Sequence, residues 1–374
     1  MIKVIRMIGL TVLGVIALLA ITITLFMYLS PQFGGAATKE QKQLYAKSGN
    51  FKDGKFVNRI NIPMKIDDKW GLFKDFINKP PTRKPSKVIP VGKIDSLGIV
   101  NHDSDITKLT WFGHSTFLLQ MDGKTILIDP MMGESPSPHP MVGTKRYSDE
   151  LPIKIEKLPF IDIVVISHDH YDHLDYPTIK KLKGKVGEFY TPLGVGNHLA
   201  SWGVNPEKIH ELNWWDSITT DSIKLVCTPS RHFSGRGISD RAATLWSSWV
   251  IKGKKDNVFF SGDGGYDIHF KEIGDKYGPF DISMIECGQY NEQWSDIHMM
   301  PEESIQAAID LKSKLSMPIH WGAFTLALHE WTDPIDRVTL AAKNLNVALT
   351  TPMIGEEIIV GSSEYPTSKW WENY

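Results

Sequence analysis

The sequence predicts a layered α/β domain preceded by an N-terminal transmembrane helix. Three observations lead there. Short runs of β-branched and aromatic residues recur from about residue 100 onward, segments with helix-start signals fall between them, and one long uncharged run opens the chain. Strands dominate and helices intervene, which is the pattern of sheets covered by helices.

The opening run comes first. Lys3 and Arg6 precede a stretch without charge from Met7 to Ala37, whose apolar centre, Ile8 to Leu29, has 22 residues. About 20 apolar residues cross a hydrocarbon core as a helix, whereas the apolar part of a cleaved signal has roughly 7–15. A retained single-pass anchor over 1–30 is therefore expected, and Gly35-Ala36-Ala37 marks where a cleavage site would fall. Lys3 and Arg6 favour an N terminus on the cytoplasmic side, with the bulk of the chain outside the cytoplasm. Lys39, Lys42 and Lys47 on the other flank reduce that asymmetry.

Residues 31–98 read as an irregular extension or linker. In Lys79-Pro80-Pro81-Thr82-Arg83-Lys84-Pro85-Ser86-Lys87 the prolines remove backbone donors and oppose a helix or a central strand, so an extended wrap is expected. Its cations suit water or anionic lipid head groups.

Residues 99–374 carry the main domain. Thr116 to Met121 and Thr125 to Asp129 are strands joined by Asp122-Gly123, a two-residue hairpin signal. Further strand runs are Ile161 to Ile166, Ile223 to Cys227, Leu245 to Ile251, Asn257 to Phe260 and Ile282 to Ile285. Tyr176 to Leu182 reads as a helix capped by Asp175. Pro301 to Leu311 reads as another, with proline and two glutamates in its first turn, where the helix dipole favours acids.

Composition bounds the partners. Basic and acidic side chains nearly balance, 41 against 43, so no nucleic-acid partner is expected. Cys227 and Cys287 lie in apolar runs without zinc-ribbon or redox spacing and read as buried thiols.

The chemistry concentrates in Ser167-His168-Asp169-His170-Tyr171-Asp172-His173-Leu174-Asp175, directly after a strand. The strand fixes the turn, and the turn aims imidazoles and a carboxylate at one point, a donor set suited to zinc and similar divalent ions. Three more donors follow strand patterns: His232, Asp263 among glycines, and His320. A lone histidine after a strand is ordinarily a packed or solvated one. Their order after the first cluster completes what two metals need: about three ligands each plus a bridge.

This order resembles the metallo-β-lactamase superfamily. The finer motifs resemble its N-acylphosphatidylethanolamine-hydrolysing phospholipase D branch: Trp111 to Thr116, Ile128 to Pro130, Ser167 to Asp175, Pro229 to Phe233, Phe260 to Tyr266, His298 to Glu303 and Ile319 to Phe324. The resemblance implies an αββα sandwich with two Zn²⁺ at one edge. It implies that His168, His170 and His232 hold one metal, that Asp172, His173 and His320 hold the other, and that Asp263 bridges them. Asp172 and His298 are then the candidate catalytic groups, Asp172 orienting the attacking water and His298 serving the phosphate or the leaving oxygen. His114 and Asp129 are candidates for supporting the ligands from behind, as carboxylates and carbonyls do for metal-bound imidazoles. Asp169 departs from the branch, which more often has Asn there, and a modest electrostatic change is expected. Gln289 to Trp294 keeps a Tyr and a Trp of the branch at a shorter spacing to His298. Tyr171, Tyr266, Trp294 and Trp321 are candidates for an acyl groove or for core packing.

The implied function is a membrane-associated, zinc-dependent phosphodiesterase of phospholipase D type. It would convert N-acylphosphatidylethanolamine, a phospholipid, to phosphatidic acid and N-acylethanolamine. The alternatives are a lactone or ester hydrolase on the same fold, and a non-catalytic metal-binding membrane protein. An apolar groove beside the metals would favour the phosphodiesterase, and a small polar cavity the lactonase. A homodimer is compatible with the sequence.

Overall fold

The computed structural model describes residues 2–60 and 69–374. Its helices are α1 (Ile2–Leu29), α2 (Lys39–Tyr45), α3 (Lys69–Ile77), α4 (Ser96–Val100), α5 (Tyr176–Leu182), α6 (Gly196–Ser201), α7 (His269–Tyr277), α8 (Pro301–Asp310) and α9 (Asp333–Leu345). A short hairpin, β1 (Phe51–Lys52) and β2 (Lys55–Phe56), precedes the main strands. These are β3 (Lys108–Trp111), β4 (Phe117–Met121), β5 (Lys124–Ile128), β6 (Ile161–Val165), β7 (Val186–Pro192), β8 (Ile209–Leu212), β9 (Ser217–Thr220), β10 (Ile223–Thr228), β11 (Ser248–Lys252), β12 (Asn257–Phe260), β13 (Ile282–Glu286), β14 (Ser316–Ile319) and β15 (Glu357–Ile359).

Two mixed sheets form, one in the order β15-β3-β4-β5-β6-β7-β8 and one in the order β14-β13-β12-β11-β10-β9. Alternation along the strands shows how they stack. Phe117, Leu119, Ile126, Ile128, Ile163 and Val165 point into a shared core with Leu225, Cys227, Trp249, Ile251, Val258 and Phe260 of the other sheet. The intervening residues Leu118, Leu127 and Val164 face α5 and α6 through Ile179, Leu182 and Leu199. Val226, Val250 and Phe259 face α7 and α8 through Phe270, Ile273, Ala307 and Ala308. Strands apolar on both faces must be covered on both, and the result is the four-layer αββα sandwich.

The sequence-read strands appear, with one shift. The run from Leu245 enters the sheet only at Ser248, because Leu245 N donates to Leu193 O at 2.8 Å and Ser247 N to Ser167 O at 2.9 Å, bonds directed at loops of the opposite sheet. The helix from Pro301 ends at Asp310. The strand pattern before His320 is β14, which carries Pro318 and sits at the edge of its sheet, where a missing donor is tolerated. Cys227 and Cys287 are buried free thiols.

Helix α1 is exposed along its length and apolar enough to cross a membrane. Part of the extension, 61–68, lies outside the described residues. Much of the rest is laid on the body. Thr38 and Gln41 form a capping box on α2. Tyr45 and Phe56 are buried together against Phe51. The proline-rich wrap is tied down where Arg83 Nε donates to Ala327 O at 3.0 Å and Ser86 N to Tyr374 O at 2.9 Å.

Candidate metal centre

β5 and β6 run parallel, as do β12, β13 and β14, so their C-terminal ends emerge on one edge of the sandwich. That edge receives Asp129 after β5, the cluster 168–173 after β6, His232 after β10, Asp263 after β12 and His320 after β14. His114 (φ 55°), Asp129 (φ 40°) and His320 (φ 68°) adopt left-handed backbone there. That conformation is uncommon for a side chain with a Cβ and clusters at functional sites. Gly262 (φ 57°) is obligatory before Asp263, since a Cβ would stand 2.7 Å from Ser247 O.

The donors fall into two groups. His170 Nδ1 lies 2.9 Å from His168 Nε2 and 3.2 Å from His232 Nε2. On the other side Asp172 Oδ2 lies 3.5 Å from His173 Nε2 and 4.0 Å from His320 Nε2. Asp263 stands between them. Its Oδ2 is 3.1 Å from His173 Nε2, 3.7 Å from His168 Nε2 and 3.9 Å from His232 Nε2, and its Oδ1 is 3.1 Å from His320 Nδ1.

Three of the rings are held from behind. His168 Nδ1 meets Ser167 Oγ at 2.9 Å, and His232 Nδ1 meets Ile297 O at 2.9 Å. His173 Nδ1 meets Asp129 Oδ2 at 2.6 Å, and Asp129 also accepts from Ser167 N at 2.7 Å. His114 Nε2 meets Asp172 Oδ2 at 2.8 Å.

The protonation pattern asks for a cation. Burial pushes His168, His232 and His320 well below the ordinary imidazole range, and His170 and His114 to about 4. Neutral imidazole is the ligating form. Burial raises Asp263 to about 7. At His173 burial is outweighed by Asp263, Asp172 and Asp129, which hold it well above its usual value. At Asp172 the raising effect of burial is outweighed by His173 and His114, and the carboxylate sits well below its usual range. Three imidazole nitrogens within hydrogen-bond distance cannot all be satisfied by protons. Buried His173 Nε2 and Asp263 Oδ1 have no hydrogen-bond partner. Divalent cations fit both facts, and these residues therefore fit a metal site.

Beside the donors lies a cleft of about 340 Å³. Phe233, Trp294, Ile297 and Leu326 form its apolar wall, and His170, Asp172, Asp263, His298 and His320 its polar end, with Gln289 and Gln293 from the 289–294 segment. Of the four aromatics considered from sequence, Trp294 lines this cleft. Trp321 packs with Trp111 and Trp370, Tyr171 donates to Arg236 O, and Tyr266 donates to Asp310.

Several site residues carried no sequence signal. Glu286 closes the apolar strand β13 and is buried, with Oε2 3.3 Å from His298 Nδ1; burial raises it well above the carboxylate range. Asn58, in the extension, clamps the His232 backbone, donating to its carbonyl at 2.7 Å and accepting from its N–H at 3.2 Å. Asp169 turns away from the donors and accepts from Gly235 N at 2.8 Å and Thr244 Oγ1 at 2.9 Å. It is thus a structural acid, not just an altered charge. Arg236 Nη1 donates to the Asp169 and Leu174 carbonyls at 2.5 and 2.8 Å and stacks 4.0 Å over Tyr171, bracing the whole turn.

Comparison with known proteins agrees with this geometry. Residues 124–321 match the Beta-lactamase superfamily domain. The chain is 40% identical over 336 residues to an uncharacterized protein of Mycobacterium tuberculosis, covering 88% of this chain and 89% of that one. It is 34% identical over 242 residues to N-acyl-phosphatidylethanolamine-hydrolyzing phospholipase D 1 of Caenorhabditis elegans, covering 61% of this chain and 68% of that one. In fold it is similar to Igni18, a metallo hydrolase of Ignicoccus hospitalis, with a TM-score of 0.52 at 21% identity, over 69% of this chain and 100% of that one. The chain is a metal-dependent hydrolase that belongs to the β-lactamase superfamily, in the branch that includes the N-acyl-phosphatidylethanolamine-hydrolyzing phospholipases D.

Proposed function

We propose that the protein is a membrane-anchored phosphodiesterase that hydrolyses N-acylphosphatidylethanolamine to phosphatidic acid and N-acylethanolamine. The observation that carries this reading is the cleft, whose apolar wall of Phe233, Trp294, Ile297 and Leu326 runs directly into the acid and imidazole end. A lipid needs that combination, with acyl chain on one side and phosphate on the other. A small polar cavity, which would favour a lactone, is not what surrounds these donors.

Two zinc ions are the proposed cofactors, His168, His170 and His232 holding one, Asp172, His173 and His320 the other, with Asp263 shared. When bound, they would supply a water of lowered pKa and neutralise charge developing on the phosphoryl oxygens. Asp172, fixed by His114, accepts a hydrogen bond from the attacking water and orients it, and the proton the water loses passes to solvent through the open cleft. The water oxygen bonds to phosphorus and the bond from phosphorus to the ethanolamine oxygen breaks. His298 faces that oxygen from the cleft. Burial lowers its pKa and raises that of Glu286, so a neutral ring accepts at Nδ1 from a protonated Glu286; as Nε2 gives its proton to the leaving oxygen, Nδ1 takes the Glu286 proton, leaving the ring neutral and Glu286 a carboxylate. The proposed domain plan is an anchor at 1–30, an extension at 31–98 and the catalytic domain at 99–374, on the extracytoplasmic side.

The test is a mass-spectrometric product assay on the full chain with N-acylphosphatidylethanolamine micelles. Phosphatidic acid and N-acylethanolamine are expected from the metal-loaded protein, and neither after chelation or in Asp263→Asn. A metal-loaded protein that releases neither product overturns the substrate and leaves the fold standing.

A further inference from the structure

The end of α1 is bound to the body rather than held on a free tether. Trp202 Nε1 donates to Pro31 O at 2.6 Å, Arg236 Nε to Gln32 O at 2.8 Å, and Gly35 N to His198 Nδ1 at 3.1 Å. Within the last turn of the helix the Phe26 ring meets Phe33 edge-on at 5.6 Å and His139 at 6.3 Å. Two separate loops of the body therefore flank the foot of the helix.

Both loops carry bare apolar tips. Met141 and Val142, just after His139, are 88% and 61% exposed, and Ile238, two residues from Arg236, is 82% exposed. Single exposed apolar residues are ordinary on a soluble surface. Here the two loops also contact the foot of one apolar helix or the segment just after it, through His139 and Arg236. A helix of 28 residues is about 42 Å long, close to the roughly 40–45 Å of a bilayer with its head groups. Phe26 lies about 4–5 Å short of its end at 1.5 Å per residue, so His139 and its loop stand at the depth of the head groups.

We propose that Met141, Val142 and Ile238 form a rim around the foot of α1 that docks into the lipid head-group layer and holds the cleft against the bilayer. This rests on α1 being the membrane anchor. The second loop links the rim to the site: it starts at Phe233 in the cleft wall, reaches Ile238, and returns with the Arg241 guanidinium 3.8 Å over the Phe233 ring. Arg236, in the same loop, braces the turn that bears His168, His170, Asp172 and His173. A lipid leaving the bilayer beside Ile238 meets the Phe233 wall without crossing bulk water.

The test uses the full chain in vesicles of phosphatidylethanolamine with a minority of phosphatidylglycerol. Cys227 and Cys287 are buried, so a nitroxide reagent will label introduced cysteines. Four single variants suffice: Met141→Cys, Ile238→Cys, Leu18→Cys inside α1, and Lys255→Cys in the turn between β11 and β12, at the sheet edge opposite Asp263. Relaxation by oxygen and by a water-soluble nickel chelate reports depth. At positions 141 and 238 the label is expected about 5–10 Å inside the head-group boundary, shielded from nickel, while the label at 255 stays open to nickel. Labels at 141 and 238 as accessible as that at 255, with Leu18→Cys in lipid, overturn the rim and leave the anchor. A Leu18→Cys label open to nickel overturns both.

Discussion

His173 Nδ1 donates to Asp129 Oδ2 across 2.6 Å, and both side chains are fully buried. The contact fixes the tautomer of the ring, so that Nε2 points at Asp263 and Asp172. Asp129 is itself fixed, because Ser167 donates to both of its oxygens. The residue before the first histidine of the cluster thus orients the acid that orients the last.

Replacing Asp129 with Asn keeps the shape and removes the charge that makes His173 a strong donor. Metal affinity is expected to fall by about 10–100-fold, the usual effect of losing such a partner. Competition with a chromophoric chelator measures it, and an unchanged circular dichroism spectrum separates it from misfolding.

Asn58 reaches His232 from the extension. In Asn58→Ala the His232 N–H and carbonyl lose their partner, at a cost of about 1–3 kcal/mol in urea unfolding. Asn58→Asp keeps an acceptor for the N–H but loses the donor to the carbonyl, and an intermediate loss is expected. A wild-type midpoint in Asn58→Ala would show that the clamp is idle.

His298→Gln tests proton delivery. The ring lies outside the proposed ligand sets, so metal content measured by plasma emission is expected to stay at the wild-type level. Turnover is expected to fall by about 10²–10⁴-fold, the range for a lost general acid. Loss of metal in this variant would reassign His298 as a ligand.

His269 offers a pH signature away from the proposed ligands. It is buried, its Nε2 has no hydrogen-bond partner, and burial, reinforced by Arg59 and Arg231, lowers its pKa from 6.5 to about 3. The folded state keeps the ring neutral where the unfolded chain protonates it. Its contribution is whole above pH 6.5 and is lost as pH falls from there toward 3. His269→Gln is expected to lose less stability than wild type between pH 6.5 and 4.5, by about 2 kcal/mol. Parallel urea titrations at the two pH values give the difference.

The sequence by itself determined the long apolar N-terminal helix, three strands of the first sheet and most of the second, and the residues His168, His170, Asp172, His173, His232, Asp263 and His320 that are the proposed donors. The reason is local: alternation writes a strand, a long uncharged run writes a spanning helix, and a turn after a strand shows its donors in consecutive letters. A strand such as β7 stayed hidden because Gly187 and Pro192 break the pattern that tertiary pairing restores. The grouping of the donors came from the sequence only through the family resemblance; physically it depends on parallel strand ends from two sheets meeting at one edge, which tertiary structure decides. Tertiary structure also decided the roles of Asn58, Glu286 and Arg236. Each is a common residue in a featureless stretch, and its partner lies at long range: Asn58 meets His232, and Arg236 meets Gln32 and Asp169. No period in the chain encodes a contact across that separation; the packed core does.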